Sequence, residues 1–169
     1  MALDSKLRFQ IEAEHSSAAD FTTPSASLNK IYQTILGSGV AAGQADRVWS
    51  DRRPLAASAT EDLDLAASLT DSFGATITFA RIKALLIAAA PGNTNNVVAG
   101  AASSNPWTAL LGATGTLIVR PGTVVAVFCG VADAIGYAVT AGTGDLLKIA
   151  NSGAGTGISY DIAILGCSA

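Results

Sequence analysis

The chain has 169 residues, half of them apolar and 14% charged, with a formal net charge of −3. That length and hydrophobicity exclude wholesale disorder and supply side chains for one well-buried domain. The acidic balance, without any run of Lys and Arg, excludes a nucleic-acid backbone as the expected partner.

At the start, "MALDSKLRFQ" lacks the apolar stretch of a signal peptide, so a protein that is not exported is expected. Leu7, Phe9 and Ile11 then alternate with Arg8, Gln10 and Glu12, which is strand periodicity. A Ser/Thr/Ala-rich stretch with Phe21 and Pro24 follows, and residues 1–27 read together as an extended N-terminal arm. "LNKIYQTIL" fits either a strand or a short helix, and "GSGVAAG" ends it.

From Gln44 onward the chain is a series of short runs: "ADRVWSD", "TEDLDLA", "ITFARIKALLIAA", "NVVAG", "TLIVR", "TVVAVFC", "GYAVTA", "LLKIA" and "ISYDIAILG". Each is rich in β-branched or aromatic residues and bounded by Gly, Pro, Asn, Asp or Ser. No rhythm of long amphipathic helices separates them. The expected fold is all-β, a jelly-roll-like antiparallel β-sandwich over residues 28–169. The longest apolar run, "ALLIAAA", stops at Pro91 and is too short to cross a bilayer, so no membrane partner is expected. Between Ala84 and Ala169 only Arg120, Lys148, Asp133, Asp145 and Asp161 carry charge. A half so poor in charge packs against itself, presents a weakly charged surface to another subunit, or does both.

Each candidate site is limited by the chemistry it requires. "GAGTG" (Gly153–Gly157) resembles a phosphate loop, but such a loop needs a helix N-terminus after it. Here the alternating "ISYDIAIL" follows, and no Walker Lys-Ser/Thr pair is present. A hairpin turn between two strands is expected instead. The single histidine, His15, lies in the arm without an elbow serine to serve, so a solvated side chain is expected. Asp62 and Asp64 share one face of a strand, a pattern open to a cation aided by "GNTNN", to a glycosidase acid pair, or to plain solvation. Solvation is the expected reading. Cys129 and Cys167 are too few for a disulfide framework, and Cys129 ends an apolar run as a buried thiol would. No catalytic residue, metal or cofactor is expected.

What remains are surfaces. "DRVWSDRRP" places Arg47, Trp49, Arg52 and Arg53 close together, residue types enriched at interface centres. Trp49 is equally suited to the core. Trp107, in "SSNPWTALLG", reads as a loop residue available to a partner. With Leu7, Phe9, Ile11 and Phe21 of the arm, these are the expected interface residues.

The long strings "GQADRVWSDRRPLAASATEDLDLAASLTDSFGATITFARIKALLI", "AAAPGNTNNVV", "RPGTVV", "GYAVTAGTGDLLKIANSGAG" and "SYDIAILG" resemble small virion structural proteins of tailed bacteriophages, head-decoration or cement proteins among them. The likeness covers Leu28 to Gly166. It implies a non-enzymatic particle component, made in the bacterial cytoplasm and carried on the virion. Its expected partners are itself, as a homotrimer, and the major capsid protein of the head. A tail or fibre position, with glycan binding, is the alternative. No catalytic residue carries over.

Overall fold

In the computed structural model, which describes residues 2–169, the alternating runs become strands. β1 (Ser5–Ser16) and β2 (Ser25–Ser38) form a long antiparallel hairpin, and β3 (Gln44–Ala45) lies parallel to the base of β2. Then come β4 (Arg47–Leu55), β5 (Thr60–Asp64), the short pair β6 (Leu69–Thr70) and β7 (Thr76–Ile77), β8 (Arg81–Ala89) and β9 (Val97–Gly100). One helical turn, α1 (Thr108–Leu111), leads to β10 (Thr116–Val119), β11 (Val124–Phe128), β12 (Tyr137–Ala138), β13 (Leu146–Asn151) and β14 (Ile158–Cys167). The stretch open to strand or helix is β2, and the 27/28 boundary falls inside it.

Two sheets build the body. One runs β11-β8-β14-β4, with β12 pairing further along the same strand, β8; the other runs β10-β9-β13-β5. Alternation explains how they meet. Ile158, Tyr160, Ile162 and Ile164 of β14 are buried in one apolar cluster with Leu63 of β5, Val97 of β9, Val119 of β10 and Ile149 of β13. Ser159, Asp161, Ala163 and Leu165 face the other way. Each apolar side chain so buried contributes about 1.5–3 kcal/mol by leaving water. The result is an all-β antiparallel sandwich, as expected.

The eight main strands of the body pair from the outside in: β4 with β14, β5 with β13, β8 with β11, and β9 with β10. Only β9 and β10 follow one another within a sheet, and every other step crosses the sandwich. This corrects the reading of "GAGTG" as a hairpin turn, because β13 and β14 belong to different sheets. The loop is an arch, held by buried Asn151, whose amide donates to the carbonyls of Ala56 (3.0 Å) and Thr156 (2.8 Å). Gly155 supplies its left-handed turn, at φ +97°. "GNTNN" ties down the same arch, with Asn95 donating to the Thr156 carbonyl and Asn93 to that of Ser159.

A bulge distorts β8. Leu165 pairs with Ala84 and Gly166 with Ile82, so Lys83 is the extra residue. The phase shift turns Ile82 into the core and leaves Lys83 fully buried, its ammonium donating to the Asp133 carbonyl. Gly166 has no room for a side chain, since a Cβ there would meet the Arg81 carbonyl oxygen and the Phe79 ring.

Candidate interaction surface

β1 and β2 pair without a break, Ser5 opposite Leu36 and Ser16 opposite Ser25. Residues directly opposite share a face. One face of the hairpin therefore carries Leu7, Phe9, Ile11 and Ala13 with Leu28, Tyr32, Thr34 and Leu36, interrupted by Lys30 opposite Ile11. At its base Leu36 and Thr34 are buried against the body, while Phe9 (49%), Ile11 (43%) and Tyr32 (54%) are left exposed further out. Phe21, in the turn at the tip, is 97% exposed. The opposite face carries Lys6, Arg8, Gln10, Glu12 and Glu14. The base is anchored by hydrogen bonds: Leu3 N–H donates to Ser38 Oγ at 3.1 Å, and the Arg81 guanidinium to the Val40 carbonyl at 2.6 Å.

The outer face of the β11-β8-β14-β4 sheet is also apolar. Val48, Leu165, Ala84 and Phe128 form one row across it, and Ser50, Ala163, Leu86 and Ala126 the next. A solvated sheet face ordinarily turns polar at alternate positions. Between this face and the hairpin lies a groove of about 680 Å³, lined by Lys6, Leu7, Arg8, Phe9 and Tyr32 on the hairpin side and by Leu86, Phe128 and Leu165 among others on the sheet side. These sheet residues were missed in the expected interface. The signal for them was the unbroken apolar run of β8, "ALLIAA", which has no polar phase to give to water.

The arginine cluster lies on β4, the edge strand of that sheet. Arg52 forms a two-pronged ion pair with Asp161, at 2.6 and 2.9 Å, in the third row of the outer face. Hydrogen bonding to the Asp161 carboxylate raises the Arg52 guanidinium pKa and lowers that of Asp161. Arg53 points to the other side, toward the sandwich rim. It contacts Glu61 at 2.6 and 2.7 Å and Asp51 at 2.8 Å. Glu61 also accepts a hydrogen bond from the buried Tyr160 hydroxyl at 2.6 Å. Burial, then that bond, pushes the Tyr160 phenol well above its ordinary range, and the Glu61 hydrogen bond holds the Arg53 pKa up. Arg47 pairs with its neighbour Asp46 at 3.1 Å. These arginines are largely spoken for by acids of their own chain, and the Arg52–Asp161 pair stands as a charged island on a mostly apolar face.

Both tryptophans correct the interface expectation. Trp49 and Trp107 are each only 5% exposed and belong to the apolar cluster. The Trp107 indole N–H donates to the Ala138 carbonyl at 2.8 Å, and its ring meets Tyr137 edge-on at 6.2 Å. A large ring whose one polar atom finds a buried carbonyl suits the core as well as an interface. His15 sits near the hairpin tip, exposed and opposite Ala26. Asp64 caps the turn after β5, accepting the N–H groups of Ala66 and Ala67 at 2.9 and 3.0 Å, and Asp62 lies opposite Lys148 on β13. Among the described residues no group of three or more His, Cys, Asp or Glu side chains is placed to hold a metal ion. Cys129 is buried, which pushes its thiol up to about 11 with help from Asp133. Among the described residues no helix is long and apolar enough to cross a membrane. No protein-family model, curated protein or solved structure matches the chain.

Proposed function

We propose that this chain is a structural protein of a tailed-bacteriophage virion, a decoration or cement protein that binds the assembled head and reinforces it. Its sandwich is read as a jelly roll, for which the outside-in pairing of eight strands, each step but one crossing between sheets, is the support. The observation that carries the function is the largely apolar surface of hairpin face, groove and outer sheet face, with Lys6, Arg8 and Lys30 set into it. Contiguous exposed apolar area of this kind marks a surface that meets another protein. It agrees with the resemblance in the strings between Leu28 and Gly166. Mechanistically, a decoration protein present in many copies adds a small binding free energy at each junction, and the lattice that binds it is stabilised by mass action.

The test is a trimmed hairpin, with residues 9–32 replaced by Asn-Gly so that Arg8 joins its cross-strand neighbour Gln33 through a two-residue turn. The trimmed protein is expected to fold and to lose binding to phage heads that lack the protein, while the full chain rebinds them. Retained binding would remove the hairpin from the contact. Counting copies per particle by mass spectrometry checks the position: hundreds fit the head, and a handful would move the protein to the tail.

A further inference from the structure

We propose that β1 is a self-recognising edge: two copies of this chain join through their Ser5–Ser16 strands, antiparallel about a two-fold axis at Gln10. Among the described residues β1 pairs only with β2, so its other side presents unpaired backbone N–H and C=O groups along twelve residues. Nothing in the strand blocks addition. It has no proline, no glycine and no bulge, and twelve residues is long for an edge.

The order of charges along the strand selects the partner. Lys6 and Arg8 occupy the half near the body, Glu12 and Glu14 the half near the tip, and all four share one face with Gln10 between them. None meets an opposite charge across the hairpin, where the facing residues are Ile35, Gln33, Asn29 and Ser27. Instead Gln10 accepts from Arg8 at 2.6 Å and donates to Glu12 at 3.5 Å, and among the described residues none of the four charges forms an ion pair. Rotation of the strand by two-fold symmetry about Gln10 sets Lys6 against Glu14 and Arg8 against Glu12, twice each. On the other face the same rotation sets Phe9 against Ile11 and Leu7 against Ala13, joining the two exposed apolar faces into one.

No neighbouring arrangement does as well. A slip of two residues one way brings Asp4 against Glu14, and the other way leaves Lys6 opposite Ser16, each with half the opposite-charge pairs. A slip of one residue puts apolar against charged side chains. Parallel pairing sets like charges opposite along the strand. Charges that served only to keep an edge soluble would need no such sorting by sign. The contact is isologous, so its product is a dimer, in place of the trimer implied by the resemblance. It does not rest on the virion reading: head binding and dimer formation can each fail alone.

Sedimentation velocity at micromolar concentration tests it. The wild-type chain is expected at twice its monomer mass. Lys6→Glu with Arg8→Glu, and separately Glu12→Lys with Glu14→Lys, each place four like-charge contacts in the joint, and the dissociation constant should rise by roughly a hundredfold or more. Mixing these two reversed proteins restores every opposite pair, so a one-to-one dimer should return. Independently, Gln10→Cys places two thiols across the axis at a Cα separation of about 4.5–5.5 Å. Mild oxidation should then yield a covalent dimer, while Phe21→Cys at the tip should not. A monomeric wild type, an oligomer indifferent to both reversals, a mixture that stays monomeric, or no crosslink at Gln10→Cys would each overturn the proposal.

Discussion

The hairpin and the sandwich use the same alternation of apolar and polar residues and spend it differently. In the body, each alternating strand has a second sheet to meet, and Ile149, Ile162 and Ile164 end at most 2% exposed. In the hairpin the same pattern has a second layer only at its base, where Leu36 is buried, and beyond that Phe9, Ile11, Leu28 and Tyr32 stay in water. Alternation specifies a two-faced ribbon. It says nothing about whether the apolar face is covered within the chain or by something else, and here the two answers occur side by side.

Substitutions should separate the two regions sharply. Ile162→Ala, deep in the sandwich, is expected to cost about 2–5 kcal/mol, read as a lower urea midpoint. Gly166→Ala should follow at about 1–3 kcal/mol, because the added methyl collides with the Arg81 carbonyl, which is backbone and yields poorly. Tyr160→Phe should cost about 1–3 kcal/mol by leaving a carboxylate oxygen of Glu61 without its donor. At the small end, Phe9→Ser in the exposed part of the hairpin should move the midpoint of the monomer by no more than about 0.5 kcal/mol. A large loss there would mean that the hairpin and body unfold as one packed unit.

A pH titration sharpens the body alone. Cys129 has its thiol pKa raised to about 11 from the ordinary 9.0, so the folded state keeps a proton that the unfolded chain releases. Its contribution is fully present below pH 9 and is lost as pH rises towards about 11, and stability should fall across that window. Tyr137 and Tyr160, also raised, add to the fall above pH 10. Cys129→Ala should flatten the earlier part of the slope, measured as urea midpoints from pH 8 to 11.

Most strands of the body were legible because Gly, Pro and Asn punctuate them and β-branched residues fill them. Their pairing was not. An arch across a sandwich and a hairpin turn use the same residues, so "GAGTG" could not reveal which sheet the chain would enter next. β2 shows a different limit. Leu28, Ile31, Tyr32, Ile35 and Leu36 recur at three- and four-residue spacing, as on a helix, yet pairing with β1 holds them in a strand. The cost is visible, since Ile31 and Ile35 then fall on the charged face, 46% and 59% exposed. Long-range pairing overrode the local period. Of the candidate surface, Leu7, Phe9 and Ile11 were legible from alternation alone. Trp49 and Trp107 misled because residue type ranks a ring for burial without saying in what.

The position of β14 has a consequence in time. It lies between β8 and β4 and is made after both, so as the chain emerges these two strands wait with a gap between them. Pairings this distant in sequence make for slow folding. The β1–β2 hairpin spans only its own 34 residues, all of them made long before β14, but a lone two-stranded hairpin is marginal in water and its base packs on the body. Newly made chains thus expose the apolar and edge groups of an unanchored hairpin beside an unfinished body, and crowding of such chains during rapid synthesis should drive encounters between them ahead of folding.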